Sequence, residues 1–415
     1  MSQRIVIVGA GLAGAKAAET LRQEGFDGQV VLLGAEDERP YQRPPLSKGL
    51  LTGLAERDSV YLHDAGWYDD HGVDLRTATR VAAIDLAAHE VRLPDDGRLR
   101  YDRLLLATGS SPRRLTVPGH DLAGVCYLRT IRDSDRIAAS LVDGANVVII
   151  GAGWIGLEIA AAARQRGARV DVVEPNRLPL RRVLGNEVAR TFAYLHASHG
   201  VTFHFGTTVA SLHGQDRVCS VRLSDGRELS ADAVIVGIGA TPNVELAVAA
   251  GLEVDDGIVT DAGLRTSHPD VFACGDVASS HNPLLGHRVR VEHWANALNA
   301  GMAAALALLD WEVSYDRVPY FYTDQYDLGM EYSGYVEPDG YDQVVFRGDP
   351  SMTDGRAPEF IAFWLKDGRV LAGMNVNVWD VTAAIQDLVR LGYAGRAVDQ
   401  AKLSDPEVGL AELSG

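Results

Sequence analysis

The chain has 415 residues, 47% of them hydrophobic and 23% charged, and a formal net charge of −17. That length suits two or three domains, that composition a globular fold, and that charge argues against nucleic acid as a general partner. No apolar stretch reaches the roughly 18 residues of a membrane span, and Arg4 leads straight into a strand-like run, so a cytoplasmic location is expected.

The first predicted element is an apolar strand over residues 5–8, inside RIVIVGAGLAG, which carries Gly9, Gly11 and Gly14 and opens an Ala-rich helix. In such a string the first glycine makes a tight turn, the second lets backbone approach a pyrophosphate, and the third packs helix on strand. The phosphates then meet the unpaired N–H groups of a helix N-terminus. A second strand, VVLLGAE, ends at Glu36, at the spacing where a carboxylate takes the adenosine ribose hydroxyls. The loop that follows, ERPYQRPPLSKGLL, is rich in proline, which predicts irregular chain lying over a ligand. Its residues 41–51 hold two cations, Arg43 and Lys48. A cation held against a ring that accepts hydride stabilises the charge that develops there. The run DRLLLATGSSPR predicts a buried strand with a Thr108–Gly109 turn at its carboxyl end, where doubly wound sheets bind ligands.

The same order then repeats. NVVIIGAGWIG predicts a strand over 147–150, a turn carrying Gly151, Gly153 and Gly156, and a second helix; RVDVVEP supplies the acid Glu174. ADAVIVGIGATPN closes this segment as LLLATGSSPR closes the first, which suggests an internal duplication. Two cradles, each with its strand, helix and acid, predict two dinucleotides, FAD and a nicotinamide. Glu174 repels a ribose 2′-phosphate and favours NADH, whereas the neighbouring Arg177, Arg181 and Arg182 would accommodate that phosphate. DVFACGDVA predicts a short strand and a Gly275–Asp276 turn, followed by a helix with an apolar stripe. The last hundred residues alternate as an antiparallel sheet with a hairpin at Lys366-Asp367-Gly368, then a helix capped by Asp380 and stopped by Gly392. The three cysteines, Cys126, Cys219 and Cys274, form no close pair, which excludes a four-cysteine metal site and an active-site disulfide. Electrons would have to leave a flavin directly.

The motifs PYQRPPLSK, LLLATGSSPR, YLRT, GAGWIGLE, FACGDVA, VEHWANAL and TDQYDLG together resemble the FAD-dependent NADH:ferredoxin reductases of bacterial cytochrome P450 and ring-hydroxylating oxygenase systems, the family of putidaredoxin reductase and rhodocoxin reductase. The resemblance implies an α/β fold with two Rossmann-like dinucleotide-binding domains, glutathione-reductase-like, and a C-terminal α+β domain. The implied boundaries are 1–111 with 241–316 for FAD, 112–240 for NAD, and 317–415. It implies that Gly9, Gly11, Ala13, Gly14, Glu36, Arg43, Val81, Ala107, Thr108, Gly109, Arg129, Asp276, Val277, Trp294, Tyr322 and Gln325 contact FAD. It implies that Gly151, Gly153, Ile155, Gly156, Glu174, Arg182 and Gly239 contact NADH, and that Lys48 pairs with Glu158 at the reacting end. No metal is implied. The partner would be an iron–sulfur ferredoxin serving a P450 or dioxygenase, docking on arginines drawn from Arg288, Arg290, Arg317, Arg347 and Arg396, with the reductase a monomer or weak dimer. An NADH oxidase or monodehydroascorbate-type reductase, and a redox-responsive NADH-binding protein like apoptosis-inducing factor, are the alternatives. The absence of cysteine over 36–52 disfavours an oxidase.

Overall fold

The computed structural model describes residues 3–352 and 356–413. The chain divides into two compact units: residues 1–42, 57–111 and 241–319, and residues 43–56, 112–240 and 320–415.

The first unit is built on a parallel sheet in the order Val271–Ala273, Arg103–Leu106, Arg4–Val8, Gln29–Leu33, Val73–Arg76. Strand side chains alternate between faces. Ile5, Ile7, Val30, Leu32, Leu105 and Phe272 enter one core, with alanines of the helices Leu12–Gln23 and Trp294–Leu308. Val6, Val8, Val31, Leu33, Leu104 and Leu106 enter the other, with Val81, Ile84, Val91, Ala247 and Leu252. Burial on both faces is why these strands read as continuous apolar runs.

The second unit repeats the plan, with the parallel order Val201–Phe205, Arg169–Glu174, Asn146–Ile150, Ala233–Val236, Val125–Tyr127. The pairings correspond: Val8 stands opposite Leu33 and Leu106, as Ile150 stands opposite Val173 and Val236. This unit also holds a five-stranded antiparallel sheet, ordered Tyr320–Gln325, Leu328–Gly334, Arg369–Val376, Phe360–Lys366, Gln343–Gly348. The expected hairpin turns at Asp367 and Gly368, both at positive φ. The helix Thr382–Tyr393 covers this sheet, and a Cβ on Gly392 would stand 1.9 Å from the Val370 carbonyl oxygen. Among the described residues, no helix is long and apolar enough to cross a membrane.

Three local expectations are corrected. The proline loop is partly helical: Pro44–Ser47 is a 3₁₀ turn and Gly49–Thr52 a helical turn. Pro44 and Pro45 sit in the first positions, where the missing N–H leaves no intrahelical bond unmade. Asp380 lies at φ +63° and does not cap the helix Thr382–Tyr393, whose N-cap, Val381, makes no side-chain bond. Gly392 lies inside that helix, kept there by the close approach to Val370.

Candidate functional site

The two glycine cradles have the same construction. Gly9 has φ +118°, and a Cβ there would stand 2.1 Å from the Ala107 carbonyl oxygen; Gly151 has φ +100°, and its Cβ would stand 2.3 Å from that of Gly237. Neither position tolerates a side chain. A Cβ on Gly14 would meet the Gly9 oxygen at 2.0 Å, and one on Gly156 the Gly151 oxygen at 2.2 Å. Gly11 and Gly153 differ from both, since a Cβ on either finds no atom within 4 Å. Each is the N-cap of its helix and makes no side-chain cap bond. The strands and helices thus force the first and third glycines, and the second opens onto free space over a helix N-terminus. That open position, repeated, fits a pyrophosphate in each cradle.

In the first unit the cradle's surroundings come from the expected positions. Ala13 is buried, and Gly301 allows the helix Trp294–Leu308 to approach it, since a Cβ on Gly301 would stand 2.4 Å from the Ala13 oxygen. Glu36 accepts from the Tyr41 hydroxyl. Thr108 exchanges two 2.8 Å hydrogen bonds with Asn243, and Gly109 has φ +67°. Asp276 accepts from the Ser110 hydroxyl at 3.1 Å, and Val277 and Val81 are core residues. Trp294 begins its helix half-buried.

In the second unit Glu174 is buried at the strand end. Its Oε2 accepts the Ala152 N–H at 2.9 Å, and its Oε1 accepts the Asn176 N–H and side-chain amide at 2.9 and 2.6 Å. Ile155 is 49% exposed beside the open position, and Arg182 is exposed. Arg181 instead bonds Asn186 at 3.0 Å and lies 3.8 Å from Asp339. Gly239 has φ +103°, and its carbonyl accepts the Arg113 N–H. Arg43 donates to the Arg129 carbonyl, which brings these two cofactor candidates together.

The expected Lys48–Glu158 pair forms at 2.7 Å, with Glu158 only 7% exposed. Burying a carboxylate is costly unless its lone pairs are matched. Here Glu158 Oε1 also accepts the Thr323 hydroxyl at 2.6 Å, and Oε2 accepts the Ser47 hydroxyl. The Lys48 Nζ lies 5.4 Å from the Tyr322 ring centroid, a cation–π distance. The Gln325 amide, expected to face a flavin, is engaged within the protein: Nε2 donates to Thr323 Oγ1 at 3.2 Å, and Oε1 lies 2.7 Å from His196 Nε2. Sequence reading missed Ser47, Thr323 and His196. Ser47 adjoins Lys48 and Thr323 lies inside YFYTDQ, so both had a local signal, whereas His196 is joined to the site only by the folded chain.

Two docking candidates are engaged elsewhere. Arg290 is paired with Glu292 and with Asp256, and Arg347 donates to the Val408 carbonyl; Arg288, Arg317 and Arg396 are exposed. All three cysteines are free, and burial pushes the Cys274 thiol up to about 12, so it is no nucleophile at neutral pH.

The pyridine nucleotide-disulphide oxidoreductase pattern matches residues 3–301, and a reductase C-terminal pattern matches residues 320–414. The chain is 43% identical over 410 residues to the anthranilate 1,2-dioxygenase system ferredoxin–NAD(+) reductase component of Burkholderia cepacia, covering 98% of each. It is 41% identical over 374 residues to rhodocoxin reductase of Rhodococcus erythropolis, covering 90% of this chain and 86% of that one. A crystal structure of the covalent putidaredoxin reductase–putidaredoxin complex matches with a TM-score of 0.92 at 36% identity, over 99% of this chain and 98% of that one.

Proposed function

The chain belongs to the pyridine nucleotide-disulphide oxidoreductase family, and from that premise we propose that it is an NADH-dependent ferredoxin reductase. It holds FAD and passes electrons one at a time to an iron–sulfur ferredoxin serving a P450 or a ring-hydroxylating dioxygenase. The observation that carries this reading is the pair of matched cradles, each open at its second glycine, in a chain whose cysteines are all free. Each cradle calls for one dinucleotide, and the cysteines form no disulfide to pass electrons through.

Gly9, Gly11 and Gly14 hold the FAD pyrophosphate on the helix Leu12–Gln23, and Glu36 takes its adenosine ribose. Gly151, Gly153 and Gly156 hold NADH in the same way on the helix Trp154–Gln165, with Glu174 at the ribose. FAD, when bound, supplies the chemistry that takes a hydride from NADH and releases its electrons singly. Lys48 places a positive charge where negative charge accumulates, and Glu158, with Ser47 and Thr323, keeps the lysine chain from turning into solvent. The domains are read as 1–111 with 241–316 for FAD, 112–240 for NADH, and 317–415. Arg288 and Arg317 are exposed and offer positive charge to an acidic carrier.

The purified protein should be yellow, and NADH should bleach it under anaerobic conditions. Cytochrome c should then be reduced rapidly only when a ferredoxin is added. Fast oxygen consumption without ferredoxin would move the assignment to an oxidase, and a colourless protein that takes up no FAD would end it.

A further inference from the structure

His196 has no role in the activity proposed above. It is fully buried on the helix Arg181–Ser198, far along the chain from the motif residues. Its ring is enclosed by the edges of Phe203 and Tyr326, and among the described residues its Nδ1 has no partner. A lone imidazole in such a place is costly unless its one polar contact is needed.

That contact has a direction. Gln325 Oε1 can only accept, so His196 Nε2, 2.7 Å away, must carry the proton. With Oε1 held by the histidine, the other end of the amide is turned toward Thr323 and donates to its Oγ1 at 3.2 Å. A threonine hydroxyl has one proton, and here that proton goes to Glu158 Oε1 at 2.6 Å. Glu158 Oε1 also accepts Lys48 Nζ at 2.7 Å. Each step fixes the next. If the amide of Gln325 were reversed, its oxygen would face Thr323, the hydroxyl would turn to it, and Glu158 would lose a donor.

We propose that His196 is a positioning residue for the Lys48–Glu158 pair, its Nε2–H setting, through Gln325 and Thr323, a one-way chain of donors that ends on the Glu158 carboxylate. The role of the pair rests on the reductase reading; the chain of donors does not. Burial holds the His196 pKa down to about 4, so the ring stays neutral at working pH and one tautomer is locked.

The first test is a long-range ¹H–¹⁵N spectrum of the full-length protein labelled at histidine. At pH 7 His196 should show the neutral Nε2–H pattern; an Nδ1–H tautomer or an imidazolium would overturn the proposal. The second is a cycle read by the rate at which NADH bleaches the bound flavin. His196→Leu and Thr323→Val should each slow bleaching about 5- to 10-fold, the size of one ordinary hydrogen bond. The double variant should be no slower than either single one, because both cut the same chain. His196→Gln, which can place an N–H near the same point, should recover most of the rate. Multiplying losses, or a glutamine variant as slow as the leucine one, would overturn the proposal, since a purely packing role predicts both. The tautomer needs neither turnover nor a variant, so it decides the hydrogen-bond chain even where NADH fails to bleach the protein, a result that would count against the reductase reading alone.

Discussion

Gly9 and Gly151 occupy equivalent points of two sheets, with nearly equal φ and nearly equal collisions awaiting a side chain, whereas the acids that follow them are held in different ways. Glu174 is buried, and both of its oxygens are taken by the N–H groups of Ala152 and Asn176, so its place is fixed by its own cradle. Glu36 is half-buried and is held by Tyr41, from the segment that leads into the proline-rich turn. The second site is thus preformed from its own strand and turn, which suits a coenzyme that must enter and leave each cycle. In the first, the hydroxyl on Glu36 comes from Tyr41, outside the strand that leads to that acid, which suits a resident group.

The sharpest way to break this comparison is to fill the cradles one at a time. Gly9→Ala and Gly151→Ala each place a methyl against backbone at a φ that L residues avoid, at a cost of roughly 2–4 kcal/mol. Gly9→Ala should yield protein without yellow colour. Gly151→Ala should stay yellow but resist bleaching at NADH concentrations that saturate the parent. Gly11→Ala and Gly153→Ala carry the same methyl into open space, so with cofactor stripped from variant and parent alike the melting temperatures should match, while the matching cofactor no longer binds. A Gly11→Ala protein that keeps FAD normally would show that this space is not the pyrophosphate's.

Next in size is the charged network of the second unit. Lys48→Met leaves Glu158 buried with two hydroxyl donors and no countercharge. The rate of flavin bleaching by NADH should fall about 100-fold, the scale of losing one preorganised charge-stabilising group. NAD⁺ affinity should change much less if, as proposed, the second cradle binds the nucleotide. An equal loss in both would assign Lys48 to binding instead.

Below that comes a pH effect confined to the same unit. His196 faces Gln325, Tyr326, His199 and Phe203, and burial lowers its pKa from 6.5 to about 4. Between those values the unfolded chain binds a proton that the folded chain refuses. Stability is therefore complete above pH 6.5 and falls as pH drops toward 4, by roughly 3 kcal/mol from this group. His196→Gln should flatten that part of a melting-temperature profile. An unchanged slope would assign the acid sensitivity to other groups.

What could be read in advance follows the range of the interactions. Both cradles, their strands and the 366–368 hairpin rest on contacts within one supersecondary unit, and the residue types state them locally. Asp380 misled because its backbone turns to positive φ one residue before the cap position, and Gly392 because packing against Val370 outweighs its weak stop signal. Pro44 and Pro45 misled because proline is excluded from a helix interior but not from its first turn. Thr323 lay in a noticed motif, but its bond to Glu158 spans 165 residues and His196 reaches that carboxylate only through Gln325 and Thr323, and no spacing rule covers such distances.

The smallest expected effect returns to the acids. A carboxylate accepts on both oxygens, whereas an amide accepts on one and donates from the other. Glu174→Gln must set an NH₂ group against a backbone N–H, either that of Ala152 or that of Asn176, because each Glu174 oxygen receives one. Among the partners of Glu36, the Tyr41 hydroxyl can still be met by the oxygen of Glu36→Gln. The glutamine at 174 should therefore weaken NADH binding about 10-fold, narrow the preference over NADPH by removing a repulsive charge, and lower the melting temperature. The glutamine at 36 should loosen FAD by a smaller factor. Equal effects from the two would mean that both acids act only through the ribose, and that the tighter hold on Glu174 contributes nothing to its cradle.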